Sequence, residues 1–426
     1  MKEGMAQKST SQEGKPWSER LKYFFPGDRV LWVIIAALSV LSVLVVYSST
    51  AKMAYDAYTM RTTSHFLKNH LLFLAVSLLA LVVVQRIDCK YYNRLAKPAY
   101  FISLGLTLLI YFLGHETNGA ARWIPIGPFR FQPSEALKVA TVLFLAKQLA
   151  VRQSIIGKLK IFPSWMFWRW GEPDQKKIFR EGTIPILGPV VASCVAIFPA
   201  HTSSTLLVFG ASWVMMLIGR VRFAELGKML MWLALAGALV LSLNLGRSAT
   251  AGGRFSTWVD LWTEEQADKP VGDLTDVERS MIAIHNGGIV GVGAGQSAMR
   301  VEMIHPESDF AFAFFVEEYG SFMALIIMMT YLWISFRAIM IFQRCGTAFP
   351  GLLVLGLAMQ ITCQALLHIM VTVNLFPETG QTLPLVSKGG SSLLFSCIAL
   401  GMILSVSRQN EEHSHVTPRG ESIYEK

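Results

Sequence analysis

The stretch VLWVIIAALSVLSVLVVY, Val30 to Tyr47, decides the fold, because it runs for 18 residues without a charge. At a rise of about 1.5 Å per residue, a helix of roughly 20 apolar residues crosses a hydrocarbon core of about 30 Å. The run begins far from the N-terminus and lacks a small-residue exit of the A-x-A kind, so it reads as a permanent span and not as a cleaved signal. Nine further apolar runs follow, near 69–86, 98–113, 135–150, 182–199, 203–219, 224–246, 310–337, 347–375 and 386–406. Together they predict an all-α polytopic membrane protein of about ten transmembrane helices over residues 29–406, with polar tails at 1–28 and 407–426.

Composition agrees with that reading. Of 426 residues 53% are hydrophobic and only 16% charged, against about 25% charged in an ordinary soluble domain. Mean hydropathy is +0.44. A soluble enzyme, a disordered chain and a disulfide-stapled scaffold are all excluded, and the apolar runs are too long and unbroken for the alternating strands of an outer-membrane barrel. None of the five cysteines falls in a loop on the predicted outer side.

The net charge of +9 is explained by where the basic residues lie. With ten spans both termini share a side. That side holds 25 of the 38 lysines and arginines and the opposite loops hold 11, so both termini are predicted to be cytoplasmic. The basic tail and the loop after the fourth span face an anionic leaflet, with Trp165, Phe167, Trp168 and Trp170 as an interfacial stretch. Nucleic-acid binding is the weaker reading, since no folded soluble domain would present the charge.

On the outer side one loop dominates, Arg247 to Phe310, between spans 7 and 8. It carries ten acidic residues against five basic ones, with a glycine-rich core. Loops of such length are functional or disordered, and the glycines and aromatics here predict a folded segment. Its Ile284-His-Asn-Gly-Gly-Ile-Val-Gly-Val-Gly-Ala-Gly295 run has no βαβ setting, so the glycines read as turns or close backbone approach and not as a nucleotide loop.

Charges that break the apolar pattern mark candidate chemistry. In Phe131-Gln-Pro-Ser-Glu135, Pro133 suits the first turn of span 4, which places Glu135 and Lys138 three residues apart on one face. With Arg122 nearby, a phosphate group fits there; a packing ion pair fits equally. Asp309 stands where the large outer loop enters span 8, at headgroup depth, as a general base or as a helix-capping residue. Glu317 and Glu318 lie deeper and need partners, expected to be Arg or Lys from other helices. Gln360, Gln364, His368 and Thr372 form one polar stripe on span 9, on which a histidine reads first as a structural group.

The motifs in their order resemble one known family. Asn118-Gly-Ala-x-Arg-Trp-Ile, Phe131-Gln-Pro-Ser-Glu-x-x-Lys138, the glycine run to Ser297, Pro306-Glu-Ser-Asp-Phe, Glu317-Glu-x-Gly320 and Thr379-Gly-x-x-Leu-Pro-x-x-Ser-x-Gly-Gly-Ser-Ser392 are similar to those of the SEDS family (shape, elongation, division and sporulation). The resemblance implies a peptidoglycan glycosyltransferase that polymerises lipid II at the outer face of the bacterial cytoplasmic membrane. It implies Asp309 as general base and Arg122 and Lys138 on the pyrophosphate. Glu135, Gln132, Ser391 and Ser392 are implied at the substrate, with Glu317, Glu318 and His368 in support.

The resemblance also implies a class B penicillin-binding protein as partner, along with other division proteins. A divalent cation, Mg or Mn, fits at the pyrophosphate, although the residues show no dedicated metal cage. A lipid II flippase and a scaffold for the transpeptidase are the alternative functions. Two departures stand out. Pro199-Ala-His-Thr-Ser-Ser-Thr205 lacks an acid common in the family after span 5, and Lys388 occupies a usually aromatic position. The missing acid, the long basic loop and the C-terminal tail are more like division-type members, which work at the septum, than elongation-type ones.

Overall fold

In a computed structural model, residues 25–49, 63–113, 115–117, 120–126, 129–161, 173–242, 248–263, 274–299, 302–303 and 307–416 are described. Every apolar run read from the sequence forms a helix over these residues. The helices are α1 (Arg29–Ser49), α2 (Thr63–Val84), α3 (Cys89–Leu113), α4 (Pro133–Val151), α5 (Gln153–Ile156) and α6 (Pro173–Ile178). They continue as α7 (Ile184–Ile197), α8 (Thr202–Ile218), α9 (Phe223–Ser242), α10 (Ser248–Thr263) and α11 (Asp276–Gly287), and end with α12 (Ala311–Gln343), α13 (Ala348–Thr372) and α14 (Gly390–Val416). A π-helical turn, Phe179–Thr183, joins α6 to α7.

Among the described residues seven helices are long and apolar enough to cross a membrane, where the sequence reading expected about ten. Of the remaining three runs, α4 carries three charged residues and α8 is 17 residues long. The fold is an all-α polytopic membrane bundle. Trp165, Phe167, Trp168 and Trp170, like both distal tails, lie outside the described residues.

Burial sorts the helices into layers. In α13 and α14 78% of the apolar window is buried, against 22% in α2, so the former pair form the centre and α2 faces outward. Helix α4 is central too, with most of its residues buried. That position is why it can hold Glu135 and Lys138: an ion in a span is tolerable only inside the bundle. Helix α14 packs along α2, α12 along α13, and α4 lies against α3 and α13.

Two features of the connecting segments were not foreseen as regular structure. Between α3 and α4 the chain forms a three-stranded antiparallel meander, β1 (His115–Thr117), β2 (Ala120–Ile126) and β3 (Phe129–Phe131). Over its described residues the large loop is folded, as expected, and it contains α10 and α11. Thr275 and Glu278 start α11 with a reciprocal capping box.

The glycine run builds a backbone splice into α12. That helix breaks at Gly320 (φ 82, ψ 165). The Val292 and Gly293 amides donate to the freed carbonyls of Glu317 and Glu318 at 2.9 and 3.0 Å, while Ser321 N–H donates to Gly288 O at 2.9 Å. The approach leaves no room for a side chain: a Cβ on Gly287 would lie 2.2 Å from the Val316 carbonyl, and one on Gly291 2.3 Å from that of Glu318. The glycines are therefore structural, by close approach and positive φ.

Candidate functional site

A cleft of about 760 Å³ opens at the end of the bundle where the meander, the large loop and the α13–α14 connection meet. Its walls include Gln132 and Glu135 at the start of α4, Asp309 and its neighbours, the 378–382 segment, and Lys388, Gly389, Gly390, Ser392 and Leu393 where α14 begins.

Local sequence explains how these elements are aimed. Pro133 occupies the first turn of α4 with Gln132 as its cap residue. Ser391 Oγ accepts from Gln132 N–H and donates to Arg130 O, both at 3.0 Å, which fastens β3 to α14. Ser392 lines the cleft and accepts from the Thr382 hydroxyl at 2.9 Å. The polar stripe on α13 holds the other wall. Gln364 donates to Thr382 O at 2.9 Å, and His368 Nδ1 donates to Gln381 O at 2.7 Å while its Nε2 accepts from Phe312 N–H at 3.3 Å. Both ring nitrogens of His368 are thereby used in positioning.

Asp309 is half-buried on the cleft wall. It does not cap α12: the cap residue is Phe310, with no side-chain cap bond. Among the described residues the Asp309 carboxylate has no hydrogen-bond or ion-pair partner, and a Cβ on Gly380 would lie 3.7 Å from its Oδ2. A carboxylate held this way is open to a ligand.

The other charged candidates sit differently from one another. Glu135 lines the cleft, whereas the Lys138 side chain is 1% exposed behind it, with its ammonium 2.8 Å from Glu135 Oε1 and 3.1 Å from Gln364 Oε1. Lys138 thus acts on the cleft through Glu135. Glu317 and Glu318 are off the cleft and buried, and Glu317 is held by groups other than the expected Arg or Lys partners. Glu317 accepts from the Ser297 hydroxyl, from Ala298 N–H at 3.1 Å and from Asn286 Nδ2 at 3.4 Å. Glu318 accepts from Gly295 N–H at 2.8 Å and from the Ser48 hydroxyl. At Glu317, amide and hydroxyl donors in and just after the glycine run do the work of a cation. Arg122 belongs to β2, and its side chain lies outside the described residues.

Several cleft residues were not singled out as site residues from the sequence: Arg130, His201, Arg254, Asp276, Glu378 and Lys388. The segment without an acid after α7 reaches the cleft through hydroxyls instead, with Ser203 donating to Thr379 O at 3.0 Å and Ser204 accepting from Gln381 at 2.9 Å. Burial pushes the Glu378 carboxyl above its ordinary range; Arg254 opposes the shift, and Asp309 and Asp276 reinforce it. Burial likewise pushes the Lys388 ammonium below the ordinary lysine value, against the pull of Glu307. Among the described residues no three His, Cys, Asp or Glu side chains converge to hold a metal ion. A dedicated metal centre does not fit those residues.

The fold and the cleft define a polytopic membrane protein whose site opens at one end of its helix bundle, away from the midplane. The family model for FtsW, RodA and SpoVE, described as "Cell cycle protein", matches residues 28–412, and the chain belongs to that family. It is similar to stage V sporulation protein E of Bacillus subtilis, 29% identical over 386 residues, covering 89% of this chain and 97% of the relative. The probable peptidoglycan glycosyltransferase FtsW of Idiomarina loihiensis is 27% identical over 423 residues, covering 96% of each chain. Among solved structures, one on the structural coordination of polymerization and crosslinking by a peptidoglycan synthase complex contains a similar chain, at 23% identity and TM-score 0.64, covering 90% of this chain and 98% of that one. Thermus thermophilus rod shape determining protein RodA aligns at 22% identity and TM-score 0.57, covering 91% and 99%. The last two likenesses bear on the fold.

Proposed function

We propose that the chain is a division-type peptidoglycan glycosyltransferase, polymerising lipid II at the outer face of the cytoplasmic membrane with both termini inside. The names of its relatives support the class of reaction. One observation carries the mechanism: among the described residues the Asp309 carboxylate has no partner, and it stands in the cleft wall between the meander and the α13–α14 connection.

In this reading Asp309 takes the proton from the acceptor's sugar 4-hydroxyl. The oxygen then attacks the anomeric carbon of the lipid-linked strand, the bond to the diphosphate breaks, and the electron pair leaves on undecaprenyl pyrophosphate with inversion. Charge gathers on the leaving group, so positive groups around it lower the barrier. Glu135, Gln132, Ser391 and Ser392 shape the substrate site. Arg122 is assigned to the diphosphate, and Lys138 supports it from behind Glu135. Glu317, Glu318 and His368 hold the scaffold. A class B penicillin-binding protein is the proposed partner, binding through its single membrane helix.

The test is polymerisation of labelled lipid II by the purified protein with that transpeptidase, read as glycan strands on a gel. Strands from wild type and none from Asp309→Ala support the reading. Normal strands from Asp309→Ala overturn the mechanism, and no strands from wild type favour a flippase or a scaffold. Sidedness is read separately: a cysteine at Thr275 should react with an impermeant thiol reagent in intact cells, and protection there reverses the topology.

A further inference from the structure

Helix α2 is the least buried of the seven candidate spans, yet one stripe at its start lines the cleft. The stripe is Phe66, Asn69, His70 and Phe73, at the i, i+3, i+4, i+7 spacing of a single helix face. Aromatic rings flanking a few placed polar groups suit a sugar, whose C–H faces rest on the rings while its hydroxyl and amide groups need hydrogen-bond partners. The Asn69 amide is engaged with His65 at 3.3 Å. His70 is held from the opposite side, by α1.

Two hydrogen bonds fix the protons of the His70 ring. Ser42 Oγ on α1 lies 2.9 Å from His70 Nε2 and 3.0 Å from the Val386 carbonyl oxygen in the α13–α14 connection. A carbonyl only accepts, so the single hydroxyl proton of Ser42 goes to Val386, and Nε2–H donates to Ser42. All three residues are buried, and the ring has no ion-pair partner among the described residues, so a second ring proton would bury an uncompensated charge. The ring is therefore the neutral Nε2–H tautomer, and Nδ1 carries a lone pair. Nδ1 has no hydrogen-bond partner among the described residues. Nor is it sealed off like the Ser77 hydroxyl two turns along the same helix, which is buried without one. His70 thus brings to the cleft wall an acceptor of fixed protonation state that is open to a ligand.

We propose that His70 is a sugar-binding residue of the cleft: its Nδ1 accepts an N–H or O–H of the lipid-linked sugar, and Ser42 is the positioning residue that holds the tautomer. The inference rests on the glycosyltransferase reading and adds a residue that the motif resemblance does not supply. The lone pair at Nδ1 repels those of a diphosphate oxygen, whereas it accepts from the acetamido and hydroxyl groups of the sugar. The residue therefore sorts the two ends of the substrate, drawing the sugar to the α2 wall and leaving the diphosphate to another part of the cleft.

Equilibrium binding of lipid II, and of undecaprenyl pyrophosphate as a probe without the sugar, to the full-length protein in detergent tests the assignment. In His70→Gln the amide nitrogen reaches the Nε2 position and still donates to Ser42, but no acceptor stands at Nδ1. In His70→Asn the amide oxygen takes the Nδ1 position, and the bond to Ser42 is lost. The glutamine variant should weaken lipid II about fivefold, the worth of one neutral hydrogen bond, and leave undecaprenyl pyrophosphate unchanged. The asparagine variant should keep the lipid II affinity while melting lower than wild type. Ser42→Ala should weaken lipid II selectively and by less. His70→Leu, which spares the Ser42 bond to Val386, should show the same selective loss where the glutamine variant does not fold. Wild-type affinity in a folded glutamine variant, with loss in the asparagine variant, makes the ring a structural anchor and overturns the proposal, and so does equal weakening of the two probes. If wild type makes glycan alongside either of those results, the glycosyltransferase reading survives without the subsite. If the glutamine variant loses lipid II selectively while wild type makes no glycan, the subsite stands and the glycosyltransferase reading fails.

Discussion

Gly320 and Gly291 touch backbone to backbone: a Cβ on Gly320 would lie 2.6 Å from Gly291 N and 2.2 Å from Ile289 O. Two distant segments, the glycine run of the large loop and the interrupted α12, are thereby fused into one unit. Asp309 lies just ahead of that helix, so whatever fixes the splice also fixes the first turns that follow the candidate base.

Gly320→Ala should therefore be among the most destabilising changes in the chain. At φ 82 and ψ 165 the backbone is in a region nearly reserved for glycine, a strain of about 1–3 kcal/mol before any clash. The added methyl must also displace backbone on the facing segment. Gly295→Ala, which has a positive φ but open space around it, should cost only the strain. Thermal unfolding in detergent compares the two, and equal losses would show that the splice is looser than described.

Glu317 gives a contrast between removing a charge and removing acceptors. In Glu317→Gln the amide oxygen can still accept from Ala298 N–H, and the amide nitrogen can donate to the Ser297 hydroxyl, which rotates to accept. The loss should be about 1 kcal/mol, the difference between charged and neutral hydrogen bonds. Glu317→Ala leaves buried donors without acceptors, at about 1–3 kcal/mol each. Glycan formation should survive the glutamine variant. Its abolition in a folded Glu317→Gln protein would give this carboxylate a role in proton transfer that its buried position argues against.

The pattern of what could be read in advance follows the range of the interactions. Apolar runs are local, so each became a helix. Pro133 starting α4 and the Glu135–Lys138 pair are also local, set by proline chemistry and an i,i+3 spacing. The meander was hidden because its strands are three to seven residues long, although Ile126-Gly-Pro-Phe129 is a turn signal between short apolar segments. Glu317 was given the wrong kind of partner because its donors come from loop backbone, which side-chain counting does not see. Lys388 was visible as an unusual residue, yet its place beside Glu307 depends on α14 meeting the 307–310 turn, some 80 residues away in sequence.

Lys138 and Glu135 test whether a buried ion pair serves packing alone. Lys138→Met strands a carboxylate that is nearly withdrawn from water, and breaking such a pair costs about 3–5 kcal/mol. The double variant Glu135→Gln, Lys138→Met removes both charges and should regain most of that stability. Glycan assays on the double variant then separate the roles. Activity lost with stability restored assigns the pair to the substrate, and activity restored along with stability reduces it to packing.

Glu378 ties the electrostatics of the cleft to pH. Burial raises its proton affinity in the folded protein, the nearby Asp309 and Asp276 add to the effect, and Arg254 only partly reverses it. With the folded value above the unfolded one, the group favours folding in its neutral form, below the unfolded pKa. That contribution is lost as pH rises through the folded pKa. Glu378→Gln, neutral throughout, should accordingly melt higher than wild type at neutral pH, and the gap should close on acidification. Arg254 weakens the gain without reversing it, because its side chain is 36% exposed and water replaces the lost partner. Paired melting curves from acid to mildly alkaline pH supply the measurement. A variant that melts lower than wild type at neutral pH would mean that the Arg254 pairing outweighs burial, and that the cleft is more open to solvent around Glu378 than its walls suggest.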